Sequence, residues 1–215
     1  MESEAHHLTH VLRHQPNDIV ELFSGNGLVA NCRIAAIRKR DVELEIRAVR
    51  HDPPPHTCLT LATAAPKGDR FDWLIEKATE LGVTRMIPLT TARSVVDPRA
   101  SKLDKLRQTV ITACKQSGRN HLMDISCVTS WNDFRKQIVP QNRVLIAHPQ
   151  GERLYRVSET ASEPRPLFVA IGPEGGFSED EVQLAVSSGA QAIHLGPNIL
   201  RIETAAIAIA AKLLI

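Results

Sequence analysis

Two short stretches of this chain carry the residue types from which a small-molecule site can be built. In Leu167–Phe177 the apolar run LFVAI stops abruptly in Gly172-Pro173-Glu174-Gly175-Gly176. Further on, Ala192–Leu195 gives way to Gly196-Pro197-Asn198-Ile199-Leu200-Arg201-Ile202-Glu203-Thr204-Ala205, which runs into an alanine-rich apolar helix. A parallel-sheet strand that ends in glycines leaves backbone N–H and C=O groups bare at the sheet edge where ligands bind. Two such units in succession, each with one or two charges, describe a pocket made mostly of main chain. Neither Gly-x-Gly-x-x-Gly nor Gly-x-x-x-x-Gly-Lys-Ser/Thr occurs, so the usual dinucleotide and triphosphate fingerprints are absent. The first loop also has a purely structural reading. Pro173 presets a corner, Gly175 and Gly176 supply positive φ, and Ser178 with Glu181 makes a capping box for the next helix. Arg201 and Glu203 have no such use in a simple turn.

The elements that position these loops are legible from periodicity. Residues 18–50 alternate short apolar segments (DIVELF, LVANCRIAAI, DVELEIRAV) around turn signals at Ser24-Gly25-Asn26-Gly27 and 38–41, a β-meander pattern that predicts a small barrel. Asp52-Pro53-Pro54-Pro55 is stiff and cannot continue a ladder, so residues 53–57 read as a linker between a domain at 1–52 and one at 58–215. The second domain opens with the buried-strand run Cys58–Ala65. Phe71, Leu74, Ile75, Ala78 and Leu81 then fall at helical spacing up to Gly82, and Met86–Leu89 follows as a strand. A basic amphipathic helix over Lys102–Gln116, a strand at Ile125–Val128, a helix from Trp131 and a strand at Val144–His148 precede the two loops. This alternation predicts an α/β fold with a parallel sheet and helices on both faces.

Composition narrows the class. With 215 residues and 43% hydrophobic content the chain can bury one core plus a small satellite domain. No apolar stretch reaches transmembrane length, and the start MESEAHHLTH lacks the basic-then-apolar run of a signal peptide, so the expectation is a cytoplasmic protein with no membrane partner. Cys32, Cys58, Cys114 and Cys127 are scattered without a Cys-x-x-Cys pair, which fits neither a zinc site nor a disulfide scaffold. His6, His10 and His14 repeat every four residues, but no carboxylate or cysteine completes a ligand set and Pro16 ends the segment; no metal is expected. A net charge of +2 is too mild to argue nucleic-acid binding by itself. Basic residues do gather, at Arg33, Arg38, Lys39, Arg40, Arg47 and Arg50, and again from Arg85 to Arg119. Each cluster is open to two readings, an RNA-contacting surface or a solvated face interleaved with carboxylates.

At this level the chain resembles a known family. IGPEGGFSEDE at 171–181 with LGPNILRIETA at 195–205 is similar to the paired signature of the RsmE family, the small-subunit ribosomal RNA uridine-N3 methyltransferases of the SPOUT superfamily. HLTHVLR at 7–13 with LFSGNG at 22–27 resembles the family's N-terminal barrel, and KGDRFDWLIEKATELGV at 67–83 and ACKQSGR at 113–119 resemble its catalytic-domain helices. The resemblance implies a small PUA-like, RNA-binding N-terminal domain and a SPOUT-type parallel sheet with a C-terminal trefoil knot. Unaided, the strand-helix alternation favours an unknotted topology. It further implies S-adenosylmethionine as cofactor and 16S ribosomal RNA or the small ribosomal subunit as partner. A homodimer is implied too, the more so because the leading strand expected before the histidine segment is absent and an unpaired barrel edge needs cover.

By the same resemblance Gly172, Glu174, Gly175 and Gly176 line one side of the cofactor, Leu195, Gly196, Ile199 and Leu200 the other, and His148 a third edge. Methyl transfer to uracil N3 is an in-line displacement in which the base loses a proton and spreads negative charge over its flanking oxygens, and a fixed guanidinium suits that charge. Arg201 is the candidate for that role, with Gln116, Arg119 and Arg93 positioning the base or its phosphate, and Arg13, Arg38, Lys39, Arg40 and Arg93 contacting RNA. Glu203 orients Arg201, accepts the proton, or simply stabilises a helix start. The chain departs from the family pattern at Asn198, Ile202 and Lys115, where arginine, threonine and glutamate are usual. Two other functions stay open: a SPOUT methyltransferase acting on a different base or ribose, and a non-catalytic RNA-binding module with a degenerate pocket.

Overall fold

Leu59–Ala64, the segment LTLATA, is buried at every position, the mark of a strand covered on both faces of a parallel sheet. It is the fourth strand, β4, in a computed structural model that describes residues 2–38, 41–96, 98, 100–137, 142–154 and 166–215. The chain divides into two units, Met1–Pro54 and Pro55–Ile215.

The first unit begins with a short helix α1 (Glu2–His6) that runs into a π-type turn at His7–Val11. Three antiparallel strands follow in the order β1-β2-β3: β1 (Ile19–Phe23), β2 (Leu28–Ile37) and β3 (Val42–His51). Val20, Cys32 and Ile34 form its core, with Leu8, Ala30, Ile37, Val42 and Leu44 packed against them. The meander is as expected, but among the described residues it is an open sheet and not a closed barrel, since β1 and β3 each pair only with β2.

The second unit holds a seven-stranded parallel sheet. β4 is followed by α2 (Arg70–Glu80), β5 (Arg85–Thr90), α3 (Ala100–Ser117), β6 (Asp124–Ile125), β7 (Thr129–Ser130) and α4 (Trp131–Lys136). Then come β8 (Arg143–Arg153), β9 (Leu167–Ile171), α5 (Glu179–Ser187), β10 (Gln191–His194) and α6 (Ile202–Leu214). The strand order is β10-β8-β9-β4-β5-β6, with β7 also on β5. On one face Trp131, Phe134, Phe177, Ala185 and Ala190 pack against Ala62, Ile87, Leu89, Val144, Ile146 and Ala170. On the other α2 lies between α3 and α6, and α6 also reaches β4 and β9. Because β10 lies outside β8, the chain that leaves β10 passes back over β8 before α6 docks on α2, β4 and β9.

β8 departs from the expectation of a short strand ending at His148. Leu145 and Ile146 pair with Gln191 and Ala192, but the next partners of Ile193 and His194 are Glu152 and Arg153. Residues 147–151 therefore intervene in the ladder. Gly151 lies so close to β10 that a Cβ there would meet the Ile193 amide nitrogen and the Ala192 carbonyl at well under contact distance. Among the described residues no helix is long and apolar enough to cross a membrane.

Candidate functional site

A helix that follows a parallel strand starts at the strand's C-terminal edge, so the 172–176 loop, the 195–201 loop and the N-terminus of α2 share one edge of the sheet. The first loop is a tight turn in which the Gly176 N–H donates to the Pro173 carbonyl at 2.8 Å. Only Gly176 of its glycines has positive φ, +69°. Gly172 serves close approach instead. A Cβ at 172 would meet the Phe177 backbone nitrogen and ring at 3.0 Å, and one at 175 would meet Arg93 Cδ at 3.4 Å. Turn chemistry thus accounts for Gly176 and close packing for Gly172, while a Cβ at 175 would make only ordinary van der Waals contact.

Three side chains pin this loop. The Arg93 guanidinium donates to the Gly175 carbonyl at 2.7 Å. Glu181 is 8% exposed, and its two carboxylate oxygens accept the Ser178 and Ala92 N–H groups, each at 2.8 Å. The Glu181 N–H in turn donates to Ser178 Oγ at 3.2 Å, completing the capping box. The carboxylate also ties the loop after β5 to the start of α5. Glu181→Ala removes the charged acceptor of two N–H groups and is expected to cost about 1.5–3 kcal/mol, the usual worth of hydrogen bonds to a charged group; urea unfolding measures it.

The second loop is held by His194, whose Nδ1 accepts the Gly196 N–H at 3.1 Å. Pro197 to Arg201 are exposed; Ile199 is 90% and Leu200 37% exposed, so the loop presents apolar surface that the described residues leave uncovered. Arg201 is the N-cap of α6, and its side chain makes no hydrogen bond or ion pair among the described residues. Glu203 stands two residues on, 7% exposed. Its partner is not Arg201 but Arg70 at the start of α2, whose Nη1 lies 3.4 Å from Glu203 Oε1 while Nη2 lies 3.7 Å from Glu174 Oε1. Glu203 Oε2 is buried with no partner.

Gln116 and Arg119 lie elsewhere. Lys102 reaches the Gly68 carbonyl at 3.4 Å and Lys105 lies 3.6 Å from Asp72, so α3 starts beside the start of α2 and runs parallel to it. Arg119 donates to the Thr79 carbonyl at 2.8 Å, at the far end of α2. Nine residues at about 1.5 Å each separate Arg70 from Thr79, about 14 Å. Within one chain Gln116 and Arg119 thus occupy the opposite edge of the sheet from Arg201. Burial lowers the Arg119 pKa, and the Thr79 carbonyl takes one of its donors, which gives this arginine a structural task. His148 falls in the segment 147–151, where its Nδ1 accepts the Gln150 N–H at 3.4 Å.

In the first unit Arg33 and Arg47 pair with Glu45, Arg38 with Glu43, and Arg50 with Glu21 and Asp52, so these cations are interleaved with carboxylates on an exposed face. Arg13 is exposed at φ +57°. Lys39 and Arg40 lie outside the described residues. Among the described residues there is no group of three His, Cys, Asp or Glu side chains placed to hold a metal ion. Burial pushes the Cys114 thiol pKa up, which keeps it protonated.

Sequence reasoning missed Arg70, His194 and Gly151. Arg70 stands in the KGDR block, where nothing local marks it apart from other helix-start arginines.

Chemically, this edge combines an exposed apolar loop, an exposed carboxylate at Glu174, a buried Glu203 oxygen without a donor and the Arg201 guanidinium, which has no partner among the described residues. The apolar face of Ile199 and Leu200 with the Glu174 carboxylate across from it in the signature pair suits an organic cation better than a phosphate. Comparison with known proteins agrees. Residues 53–214 match the RNA methyltransferase domain family and residues 2–47 the RNA methyltransferase PUA domain. Ribosomal RNA small subunit methyltransferase E of Bacillus subtilis is 32% identical over 213 residues, covering 94% of this chain and 83% of that protein. The crystal structure of a ribosomal RNA small subunit methyltransferase E from Neisseria gonorrhoeae bound to S-adenosyl methionine superposes with a TM-score of 0.88 at 33% identity, covering 98% of this chain and 88% of that one. A methyltransferase from Legionella pneumophila in complex with the same cofactor gives 0.89 at 30% identity, covering 99% and 89%.

Proposed function

Because the chain belongs to the ribosomal RNA small subunit methyltransferase E family and so is an S-adenosylmethionine-dependent methyltransferase of small-subunit ribosomal RNA, we propose that the atom it methylates is N3 of a uridine in 16S ribosomal RNA. The observation that carries this reading is Arg201, an exposed guanidinium at the end of the second loop that has no hydrogen-bond or ion-pair partner among the described residues. The same reading takes the protein to be a cytoplasmic homodimer. It also takes the C-terminal segment to be a trefoil knot, supported by the recrossing of β8 after β10.

The cofactor supplies an electrophilic methyl group on a sulfonium. Gly172, Glu174, Gly175 and Gly176 on one side and Leu195, Gly196, Ile199 and Leu200 on the other would hold it, with His148 at the rim. Arg201 donates to the uracil oxygens that flank N3 and gains most when the base is anionic, so it acts on the transition state more than on the ground state. Arg93, committed to the Gly175 carbonyl, shapes the loop and keeps its outward charge for the RNA backbone.

Purified protein incubated with deuterated-methyl S-adenosylmethionine and small ribosomal subunits, or free 16S ribosomal RNA, is expected to yield labelled 3-methyluridine on nucleoside mass spectrometry. Label on a ribose oxygen or another base would overturn the N3 assignment.

A further inference from the structure

We propose that Arg70 is a positioning residue that locks the two signature loops to one another, and through Glu203 sets the start of α6 where Arg201 projects. The inference deepens the methyltransferase reading and rests on it, since it assigns the residue that assembles that site. Three contacts orient the Arg70 guanidinium. Its Nε donates to the Lys67 carbonyl at 3.2 Å, which anchors the plane of the group to the turn before α2. The two Nη atoms then diverge, one toward Glu203 on α6 and one toward Glu174 in the first loop. No other side chain among the described residues joins the 172–176 loop to the first turn of α6.

The geometry requires arginine. A planar fork with five donors reaches a carbonyl and two carboxylates at once, whereas a lysine ammonium is a point charge on a flexible stem. The contacts to Glu203 and Glu174, at 3.4 and 3.7 Å, are longer than charge-assisted hydrogen bonds at their optimum of about 2.7–2.9 Å. Glu203 Oε2 is buried and unpartnered. The clamp therefore has unspent capacity on the carboxylate that it holds. When the cofactor fills the space between the loops and draws them together, the long contacts to Glu203 and Glu174 shorten, and binding and loop registration become one event.

The test is a double-mutant cycle on the full chain, with S-adenosylmethionine affinity measured by titration calorimetry beside kcat and KM. Arg70→Gln is expected to weaken binding about ten-fold or more, an energy within the usual range for coupled neighbours, while thermal unfolding shows the variant folded. Arg70→Lys keeps the charge but is expected to recover only part of the affinity. Combined with Arg70→Gln, Glu174→Gln should cost less affinity than it costs alone, because both variants break the same link while any direct contact of Glu174 with the cofactor is lost in either background. Arg70→Gln binding within about two-fold of wild type, Arg70→Lys binding as wild type, or strictly additive losses would each overturn the clamp. Wild-type protein that binds no S-adenosylmethionine would instead overturn the methyltransferase reading beneath it.

Discussion

Arg201→Ala is expected to lower kcat for methyl transfer about 10²–10³-fold while leaving S-adenosylmethionine affinity within about two-fold of wild type. The other candidate arginines of this domain have other work. Arg70 holds two carboxylates, Arg93 a loop carbonyl and Arg119 the end of α2. Arg201 alone among these four has no protein partner, and it sits at the N-cap of α6 with extended backbone, φ −65° and ψ 157°. Its side chain does not cap the helix, so alanine there removes a cation without removing a structural bond. The charge that develops on an ionising uracil has nowhere else in the second loop to go, since Pro197, Asn198, Ile199 and Leu200 offer no cation. Single-turnover kinetics with small subunits, paired with calorimetry, separates the two effects. Near-normal turnover would sink the assignment, and loss of cofactor binding would move Arg201 from the base to the cofactor.

The second large effect falls on stability. Gly151→Ala puts a methyl group into the backbone of β10 at Ala192–Ile193, where neither neighbour is a flexible side chain that can swing away. Overpacking into a well-filled interior costs about 1–3 kcal/mol, and backbone obstruction lies at or above the top of that range. For a chain of this size each kcal/mol lowers the melting temperature by about 2–4 °C, so a fall of about 6–12 °C is expected by calorimetric scanning. Affinity for the cofactor should fall with it, because β10 leads directly into the second loop. A variant that melts within about 2 °C of wild type would show that β8 and β10 do not approach as closely as the structure has them.

Much of the fold was legible because its signals are local. The all-apolar LTLATA, the helical spacing of Phe71, Leu74, Ile75 and Ala78, and the Ser178–Glu181 capping box each reside in a single segment. The two glycine loops were legible for the same reason, as strand ends running into helix starts. Of the two glycines expected to supply positive φ, Gly175 and Gly176, only Gly176 does. Pattern alone does not distinguish a glycine needed for positive φ from one needed for close approach, and only Gly176 is of the first kind.

What spacing could not supply was partnership. Glu203 lies next to Arg201 along the chain, yet its ion pair is with Arg70, 133 residues away. Arg93 meets Gly175 across 82 residues and Ala92 meets Glu181 across 89. Gln116 and Arg119 belong to a conspicuous motif, but the parallel course of α2 and α3 carries them to the far edge of the sheet. The interruption of β8 that presses Gly151 onto β10 leaves no trace in hydrophobic period. Residue type and local period specify which segments become strands, helices and tight turns, since those depend on φ, ψ and burial over a few residues. Which charge faces which, and which glycine must stay bare, follows from the order of strands in the sheet, a property of the whole chain that no single segment encodes.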